Sequence, residues 1–147
     1  MKKLFVLFYA LMCLVTLQAQ KVTLQDVANG TYRAQSIQGL KPMLDGEHYT
    51  QISKDHKRIV KYSFKTGKEV ATIFDVATAR NHKLKNFDDY IMSPDESLIL
   101  IQTETKPIYR RSFTAVYYIY NVRNRTLEPL SNNGPQQVPL FSPDSHQ

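Results

Sequence analysis

Three residue types are scarce in the sequence, and each scarcity excludes a kind of site. The single cysteine, Cys13, leaves no partner for an internal disulfide. The five glycines, at positions 30, 39, 46, 67 and 134, build no Gly-x-Ser-x-Gly turn, the motif that exposes a nucleophilic serine. The four histidines, at positions 48, 56, 82 and 146, have none of the close spacings used for metal ligands. We therefore expect no catalytic residue, no metal and no cofactor in these residues.

A concentration of positive charge is also absent. The chain has 19 basic and 13 acidic residues, a formal net charge of +6, and the basic residues are scattered among the acidic ones. A nucleic-acid-binding surface gathers basic residues into a patch or stripe, so we expect no nucleic-acid partner. The apolar content of 42% is ordinary, and 147 residues suffice for about one globular domain.

The longest apolar run lies at the N-terminus. Lys2–Lys3 precedes fourteen largely apolar residues, Leu4–Leu17, and a small residue follows at Ala19. This order predicts a secretory signal peptide over residues 1–19, cut after Ala19. The mature protein is therefore expected to be periplasmic or secreted.

Two features bear on how this segment is processed. Leu17 is not the small residue preferred three places before the cut, which leaves an uncleaved anchor as an alternative. A membrane helix needs ~20 apolar residues, more than this run has, so we expect no stable membrane span after cleavage. Cys13 does not indicate a lipoprotein, because Met12 is not small and the apolar run continues beyond the cysteine.

Three segments repeat one pattern, in which a serine follows an apolar residue and stands two places before an aspartate. They read QISKDHKRIVKYSF from Gln51, IMSPDESLILIQTE from Ile91 and LFSPDSHQ from Leu140. The serines, Ser53, Ser93 and Ser142, are separated by 40 (93 − 53) and 49 (142 − 93) residues. Serine and aspartate side chains bond to nearby backbone amides, so each segment predicts a tight turn between antiparallel strands.

A second repeated element predicts hairpins. Lys65–Lys68 and Arg123–Thr126 are polar tips flanked by alternating apolar and polar residues. Each unit therefore reads as strand, Ser-x-Asp turn, strand, hairpin and strand. Units of roughly 40–50 residues built this way are typical of a β-propeller, in which four-stranded blades stack around an axis. A β-sandwich fits the strand content but not the recurring turns.

The predicted fold is thus all-β, a partial β-propeller in residues 20–147 with about two four-stranded blades and the start of a third. A propeller needs about four to eight blades, because a lone blade cannot bury both of its faces. We therefore expect the chain to end within a blade, as the N-terminal portion of a longer protein.

One stretch carries a candidate binding site. Arg110 and Arg111 stand just before a predicted strand with four aromatic residues, Phe113, Tyr117, Tyr118 and Tyr120. Loops between propeller strands open on surfaces where binding sites are built. Arginine offers a rigid fork of donors that suits carboxylate and carbonyl oxygens. From the pattern alone, a binding residue and a solvated arginine pair both fit.

The same stretch resembles the N-terminal propeller of the dipeptidyl peptidase IV family of serine peptidases. The most specific part is RRSFTA at Arg110–Ala115, which leads to YIYN at Tyr118–Asn121. The segments from Val22 and from Tyr90 resemble the family's lead-in to the first blade and its second blade, in that order. The resemblance extends over nearly all of the mature segment.

The resemblance implies an exported exopeptidase that releases dipeptides from free N-termini, preferably with proline or alanine second. In the family a propeller caps an α/β-hydrolase domain, and Arg110 matches an arginine that bonds a substrate carbonyl, so we assign substrate binding to Arg110. The Ser-His-Asp triad and the glutamates that bind the substrate ammonium are expected beyond Gln147, so the chain alone is expected to be inactive. Two positions depart from the family pattern: Glu96, where a turn glycine is frequent, and Arg111, beside the matched arginine.

Two hypotheses follow for the whole protein. The first is a dipeptidyl peptidase that acts on peptide substrates, with a homodimer as a further expectation. The alternative is a non-catalytic exported propeller that binds a protein or peptide partner, since such proteins also use Ser-Pro-Asp turns at this period. The enzyme requires a further domain with a Gly-x-Ser-x-Gly turn, whereas the binding protein closes its ring without one.

Overall fold

The structure is a computed structural model that describes residues 22–34 and 39–144. The chain divides into two compact units, Met1–Ser36 and Ile37–Gln147. The signal peptide predicted over residues 1–19 lies outside the described residues. No helix in the described ranges is long and apolar enough to cross a membrane.

The first unit contains a short helix, α1, at Leu24–Ala28. A capping box begins it: the Thr23 hydroxyl accepts from the Asp26 amide at 3.1 Å, and the Asp26 carboxylate accepts from the Thr23 amide at 3.1 Å. These two bonds satisfy amides that the helix itself leaves free, which is why the helix begins at this point.

The second unit consists of two four-stranded antiparallel sheets, each with its strands in chain order. Blade 1 contains β1 (Lys41–Pro42), β2 (His48–Ile52), β3 (Arg58–Ser63) and β4 (Glu69–Asp75). Blade 2 contains β5 (Asp89–Met92), β6 (Leu98–Tyr109), β7 (Ser112–Asn121) and β8 (Thr126–Pro129). The predicted all-β architecture of two four-stranded blades is confirmed.

The main core lies between the two blades. Phe74 of blade 1 meets Phe87 and Tyr120 edge to face, with ring centroids 5.4 and 4.8 Å apart. Ile59 and Ile99 are fully buried in the same cluster. Burying a side chain of this size contributes about 1.5–3 kcal/mol, so the shared cluster joins the blades into one body.

A buried polar contact crosses this core. The Tyr90 hydroxyl donates to Thr50 Oγ1 at 2.7 Å, and both residues are fully buried. Burial raises the pKa of Tyr90 to about 12, so the hydroxyl remains protonated and able to donate. The far face of blade 2 has a second, smaller cluster, in which Leu130 and Phe141 pack against buried Tyr117.

The serine-aspartate turns have the predicted side-chain bonds. The Ser93 hydroxyl donates to Asp95 Oδ1 at 2.6 Å and accepts from the Leu98 amide at 2.9 Å. Ser53 repeats both bonds, with Asp55 at 2.5 Å and Arg58 at 2.9 Å. Each turn needs one residue in the left-handed region, which is His56 (φ 55°) in the first and Glu96 (φ 59°) in the second. Glycine adopts this conformation without strain, so it would be favourable at the position of Glu96.

The two turns nevertheless join different strands, so aligning Ser53 with Ser93 was wrong in strand order. The Ser53 turn connects β2 to β3, whereas the Ser93 turn connects β5 to β6. The true counterpart of the Ser93 turn is Met43–His48, between β1 and β2. Its Met43 amide bonds to the His48 carbonyl at 3.0 Å, as the Ser93 amide bonds to that of Leu98 at 2.9 Å.

With this correction the repeat becomes regular. The matching positions 43, 93 and 142 are separated by 50 (93 − 43) and 49 (142 − 93) residues. In the β1–β2 turn Asp45 accepts from the Glu47 and His48 amides at 3.0 Å, and Gly46 takes the left-handed position at φ 68°. Serine is replaced by methionine there, so the sequence signal for this turn was weak.

The two predicted hairpin tips are present. Gly67 (φ 65°) and Arg125 (φ 58°) take the left-handed position in the β3–β4 and β7–β8 connections. Their amides bond to the carbonyls of Ser63 and Asn121, both at 2.8 Å. The second tip is one residue shorter than predicted, because Thr126 already begins β8.

Candidate functional site

The predicted binding residue lies at the end of a long hairpin in blade 2. Arg110 and Arg111 form its two-residue tip, between Tyr109 and Ser112, which pair across the hairpin. All residues from Glu104 to Ser112 are exposed, and the Tyr109 side chain is 81% exposed. We call residues 104–113 the arm. The sequence predicted that the arginines lie just before a strand. The structure shows that they connect two long strands, β6 and β7, at an end of the hairpin that is exposed.

A β-bulge separates the arm from the blade. Thr103 pairs with Val116 and Lys106 with Thr114, so two residues on β6, Glu104 and Thr105, lie opposite one on β7. Glu104 adopts the left-handed conformation at φ 51°, which is unfavourable for a side chain with a Cβ atom. Because a bulge bends its strand and increases the local twist, β6 bends at this point, where the arm begins.

Ala115, the residue opposite the bulge, forms backbone hydrogen bonds on the side of β7 that faces away from β6. Ala115 is fully buried, and its amide and carbonyl both bond to the backbone of Gln136, at 3.0 and 2.8 Å. These groups lie on the β8 side of β7, beyond the last β7–β8 pair at Tyr118 and Pro129, so the segment that follows blade 2 continues the pairing there.

Side chains bind the bulge to the loop that precedes β5. Asp88 Oδ2 accepts from the Thr105 amide at 2.9 Å and from the Thr105 hydroxyl at 2.7 Å. The same hydroxyl accepts from Gln102 Nε2 at 2.8 Å, and Gln102 Oε1 accepts from the Tyr117 hydroxyl at 3.1 Å. Burial raises the pKa of Tyr117, which keeps its hydroxyl protonated as a donor. We call Asp88, Gln102, Thr105 and Tyr117 the base network.

The arm presents cationic donors that are not engaged elsewhere. Within the described residues neither the Arg110 nor the Arg111 guanidinium forms an ion pair or a hydrogen bond. Each guanidinium carries five N–H donors in a planar fork. An extended peptide has backbone carbonyls and carboxylates that match this geometry, so the arm tip can orient such a ligand.

A cleft lies elsewhere, between the β1–β2 turn and β5. It has a volume of about 480 Å³ and is lined mainly by apolar side chains, among them Leu44 and Met92. Its lysine, Lys41, forms an ion pair with Asp89 at 2.7 Å and lies 4.0 Å from the Tyr90 ring centroid. These contacts join the two blades, so we interpret this cleft as part of their junction. In residues 22–34 and 39–144 no group of three or more His, Cys, Asp or Glu side chains could hold a metal ion.

Comparison with known proteins identifies the region. A family model described as the dipeptidyl peptidase IV N-terminal region matches residues 93–147, which include the whole arm. The crystal structure of dipeptidyl peptidase 4 from Porphyromonas gingivalis superposes with a TM-score of 0.72 and 37% sequence identity, over 86% of this chain. The chain carries part of the N-terminal region of the dipeptidyl peptidase IV family. The resemblance inferred from the Arg110–Ala115 motif is confirmed.

Curated relatives agree with this assignment. Human prolyl endopeptidase FAP (Homo sapiens) is 30% identical over 103 residues, or 70% of this chain. A probable dipeptidyl-aminopeptidase B from Emericella nidulans is 43% identical over 56 residues, or 36% of this chain. The chain spans 13% of the FAP sequence, 6% of the dipeptidyl-aminopeptidase B sequence and 18% of the P. gingivalis protein.

Sequence reasoning missed the base network. Asp88, Gln102 and Thr105 are ordinary surface residue types, and no motif connects them. One signal was available in principle: β6 and β7 have more residues between the Ser93 turn and the Arg123 tip than a plain hairpin needs. That excess predicts a long or bulged hairpin, but it does not reveal which carboxylate holds it.

Proposed function

We propose that this chain is part of an exported serine exopeptidase that releases dipeptides from free N-termini, with proline or alanine in the second position. The proposed location is the periplasm or the exterior of the cell, after removal of residues 1–19. The observation that carries the proposal is the arm, which lies in the segment matched to the dipeptidyl peptidase IV family and presents Arg110 with unengaged donors. The catalytic triad would lie in the portion of such a protein that this chain does not span.

In this proposal Arg110 orients the substrate. Its guanidinium donates to a backbone carbonyl of the bound peptide near the scissile bond. A hydrogen bond from a charged donor contributes about 1.5–3 kcal/mol, and a fixed donor also restricts the peptide to a reactive geometry. A peptide carbonyl binds without competition, because the described residues offer the guanidinium no carboxylate partner.

An enzyme that selects peptides with a free N-terminus needs negatively charged groups to bind the substrate ammonium. A substrate ammonium is repelled by Arg110 and Arg111, so it must bind carboxylates at a distance from the arm tip. We propose that later blades supply these carboxylates. The peptide would then lie between a cationic and an anionic contact, which fixes both its direction and the position of its second residue.

A non-catalytic propeller that binds a protein partner is the second candidate. The arm favours it in one respect, since Ile108 and Tyr109 are 56% and 81% exposed beside the arginines. Tyrosine and arginine are enriched at protein interfaces, so such a tip also suits a protein surface.

A homodimer of the whole protein remains a prediction.

The test uses the whole protein that contains this chain. It should release p-nitroaniline from a dipeptide p-nitroanilide with proline second, and it should not act on the N-acetylated form. Arg110→Ala should lower kcat/KM by about tenfold or more, the loss expected for a bond of about 1.5–3 kcal/mol. Lys65→Ala, at the exposed tip of the β3–β4 hairpin, is the matched control and should leave kcat/KM unchanged.

Two results would separate the candidates. Hydrolysis of neither substrate would remove the peptidase proposal and favour the binding protein. If the protein hydrolyses the substrate and Arg110→Ala leaves the kinetics unchanged, the peptidase proposal stands, but Arg110 is not part of the substrate site.

A further inference from the structure

We propose that Asp88 and Thr105 are positioning residues that set the direction of the arm and so place Arg110 for the substrate. The inference rests on the proposed function. It concerns the bulge at Glu104, whose unfavourable φ of 51° requires support from the surrounding structure.

The bonds at the bulge provide that support. Asp88 accepts twice from Thr105, the residue next to Glu104, at 2.9 and 2.7 Å. The loop that carries Asp88 is itself attached to β6, because the Asp88 amide donates to the Gln102 carbonyl at 2.7 Å. Asp88 thereby connects the two sides of the bend, β6 before the bulge and the arm after it.

Beyond its base the arm has few restraints, although Phe113 at the base also packs against the buried cluster of Leu100, Ala115 and Tyr117. Every residue from Lys106 to Ser112 is exposed. In the part of the chain that the structure describes, the arm's side chains hydrogen-bond to the rest of blade 2 only at Thr105. The direction of the arm up to the second register shift at Ile108 therefore depends on its base, where the two carboxylate bonds and the Phe113 packing lie.

The arm's length amplifies a small change at the base. Arg110 is five residues beyond Thr105, which at ~3.3 Å per strand residue is a lever of at most roughly 16 Å, since a second register shift lies at Ile108. A rotation of about 10° at the bulge would move the arginine by up to about 3 Å. A misplacement of about 1 Å can lower a rate by about a hundredfold when it disturbs the reactive geometry of a bound substrate.

The test is a double-mutant cycle between Thr105 and Arg110 in the whole protein. Thr105→Val removes the hydroxyl and keeps the shape, and should lower kcat/KM for a dipeptide p-nitroanilide by about threefold to tenfold. The loss should appear in both KM and kcat at an unchanged fraction of active enzyme, because Arg110 contributes to peptide binding and to the reactive geometry. In an Arg110→Ala background the same substitution should have no further effect.

Three variants sharpen the cycle. Thr105→Ser keeps the hydroxyl and should retain most of the wild-type rate. Asp88→Ala removes the oxygen that accepts both Thr105 bonds and should lower the rate at least as much as Thr105→Val. Thr66→Val is the matched control, because it removes a threonine hydroxyl that likewise accepts one hydrogen bond, from the Lys68 amide at 3.3 Å, at the tip of the hairpin in blade 1. It should leave kcat/KM unchanged.

Two outcomes would overturn the positioning role while the peptidase stands. One is unchanged kinetics in Thr105→Val. The other is a loss of the same size in the Arg110→Ala background, since that would indicate an effect that does not act through Arg110. If the unmodified protein released no dipeptide, the proposed function would fall and the positioning role with it.

Discussion

The second and third strands of the two blades are joined in different ways. In blade 1 the β2–β3 connection is a tight turn, closed by bonds between Ser53 and Arg58. In blade 2 the β6–β7 connection is the arm, with Arg110 and Arg111 at its tip. The same place in the sheet thus holds a compact turn in one blade and an extended hairpin in the other.

The two connections also differ in what they contact. The blade 1 turn is packed against the chain that enters blade 2: the amide of buried Phe87 donates to the His56 carbonyl at 3.0 Å, and His56 Nδ1 lies 3.1 Å from the Phe87 carbonyl oxygen. The arm tip has no comparable contact within the described residues. A blade can lengthen this connection without disturbing its core, which leaves the longer version available for binding.

The largest expected effect is on the free energy of unfolding, and it tests whether the core between the blades stabilises the protein while the arm does not. Phe74→Ala would leave a cavity in the core between the blades and should lower the free energy of unfolding by about 3–5 kcal/mol. Ile108→Ala on the arm should change it by less than about 0.5 kcal/mol, since Ile108 is 56% exposed. Denaturant titration of both variants gives the comparison. Equal losses would mean that the arm packs against a surface and is not free.

A smaller effect distinguishes the two serine turns. Ser93 is 2% exposed, so Ser93→Ala should leave the Leu98 amide unsatisfied and cost about 1–2 kcal/mol. Ser53→Ala removes the same bonds in a half-buried turn, where water can replace the hydroxyl, and should cost about 0.5–1 kcal/mol. Thermal unfolding of the two variants measures the difference. A greater loss in Ser53→Ala would contradict the assignment of its turn to the more accessible surface.

The smallest effect tests the corrected alignment of the blades. Gly46 has φ 68° and open space where a Cβ atom would lie, so Gly46→Ala should cost about 1 kcal/mol from backbone conformation alone. Gly46→Asn should cost less, because asparagine tolerates the left-handed region better. A thermal shift assay detects this difference. No change in Gly46→Ala would show that the turn adjusts easily and is not the equivalent of the Glu96 turn.

Local features of the fold were predictable from the sequence. Ser93 and Asp95 make bonds within a few residues, so their turn leaves a readable motif. The strand order was harder, because the Ser53 turn has the motif and the true counterpart of Ser93 has Met43 instead. Sequence similarity between turns therefore pointed to the wrong pair of strands.

The candidate site was predictable only in part. Arg110 followed from the family resemblance, but the base network did not, because its bond between Asp88 and Thr105 joins residues 17 positions apart. Such a contact exists only once blade 2 has folded. The assignment of substrate binding to Arg110 remains a prediction.

The most direct measurement is a structure of the whole protein with a bound peptide that has proline second and a free N-terminus. The account predicts an Arg110 guanidinium nitrogen about 2.7–3.2 Å from a backbone carbonyl oxygen of that peptide. The bond from Thr105 to Asp88 should be intact in the same complex. A peptide bound without contact to the arm, or contacted by the arm only through Arg111, would contradict the central claim.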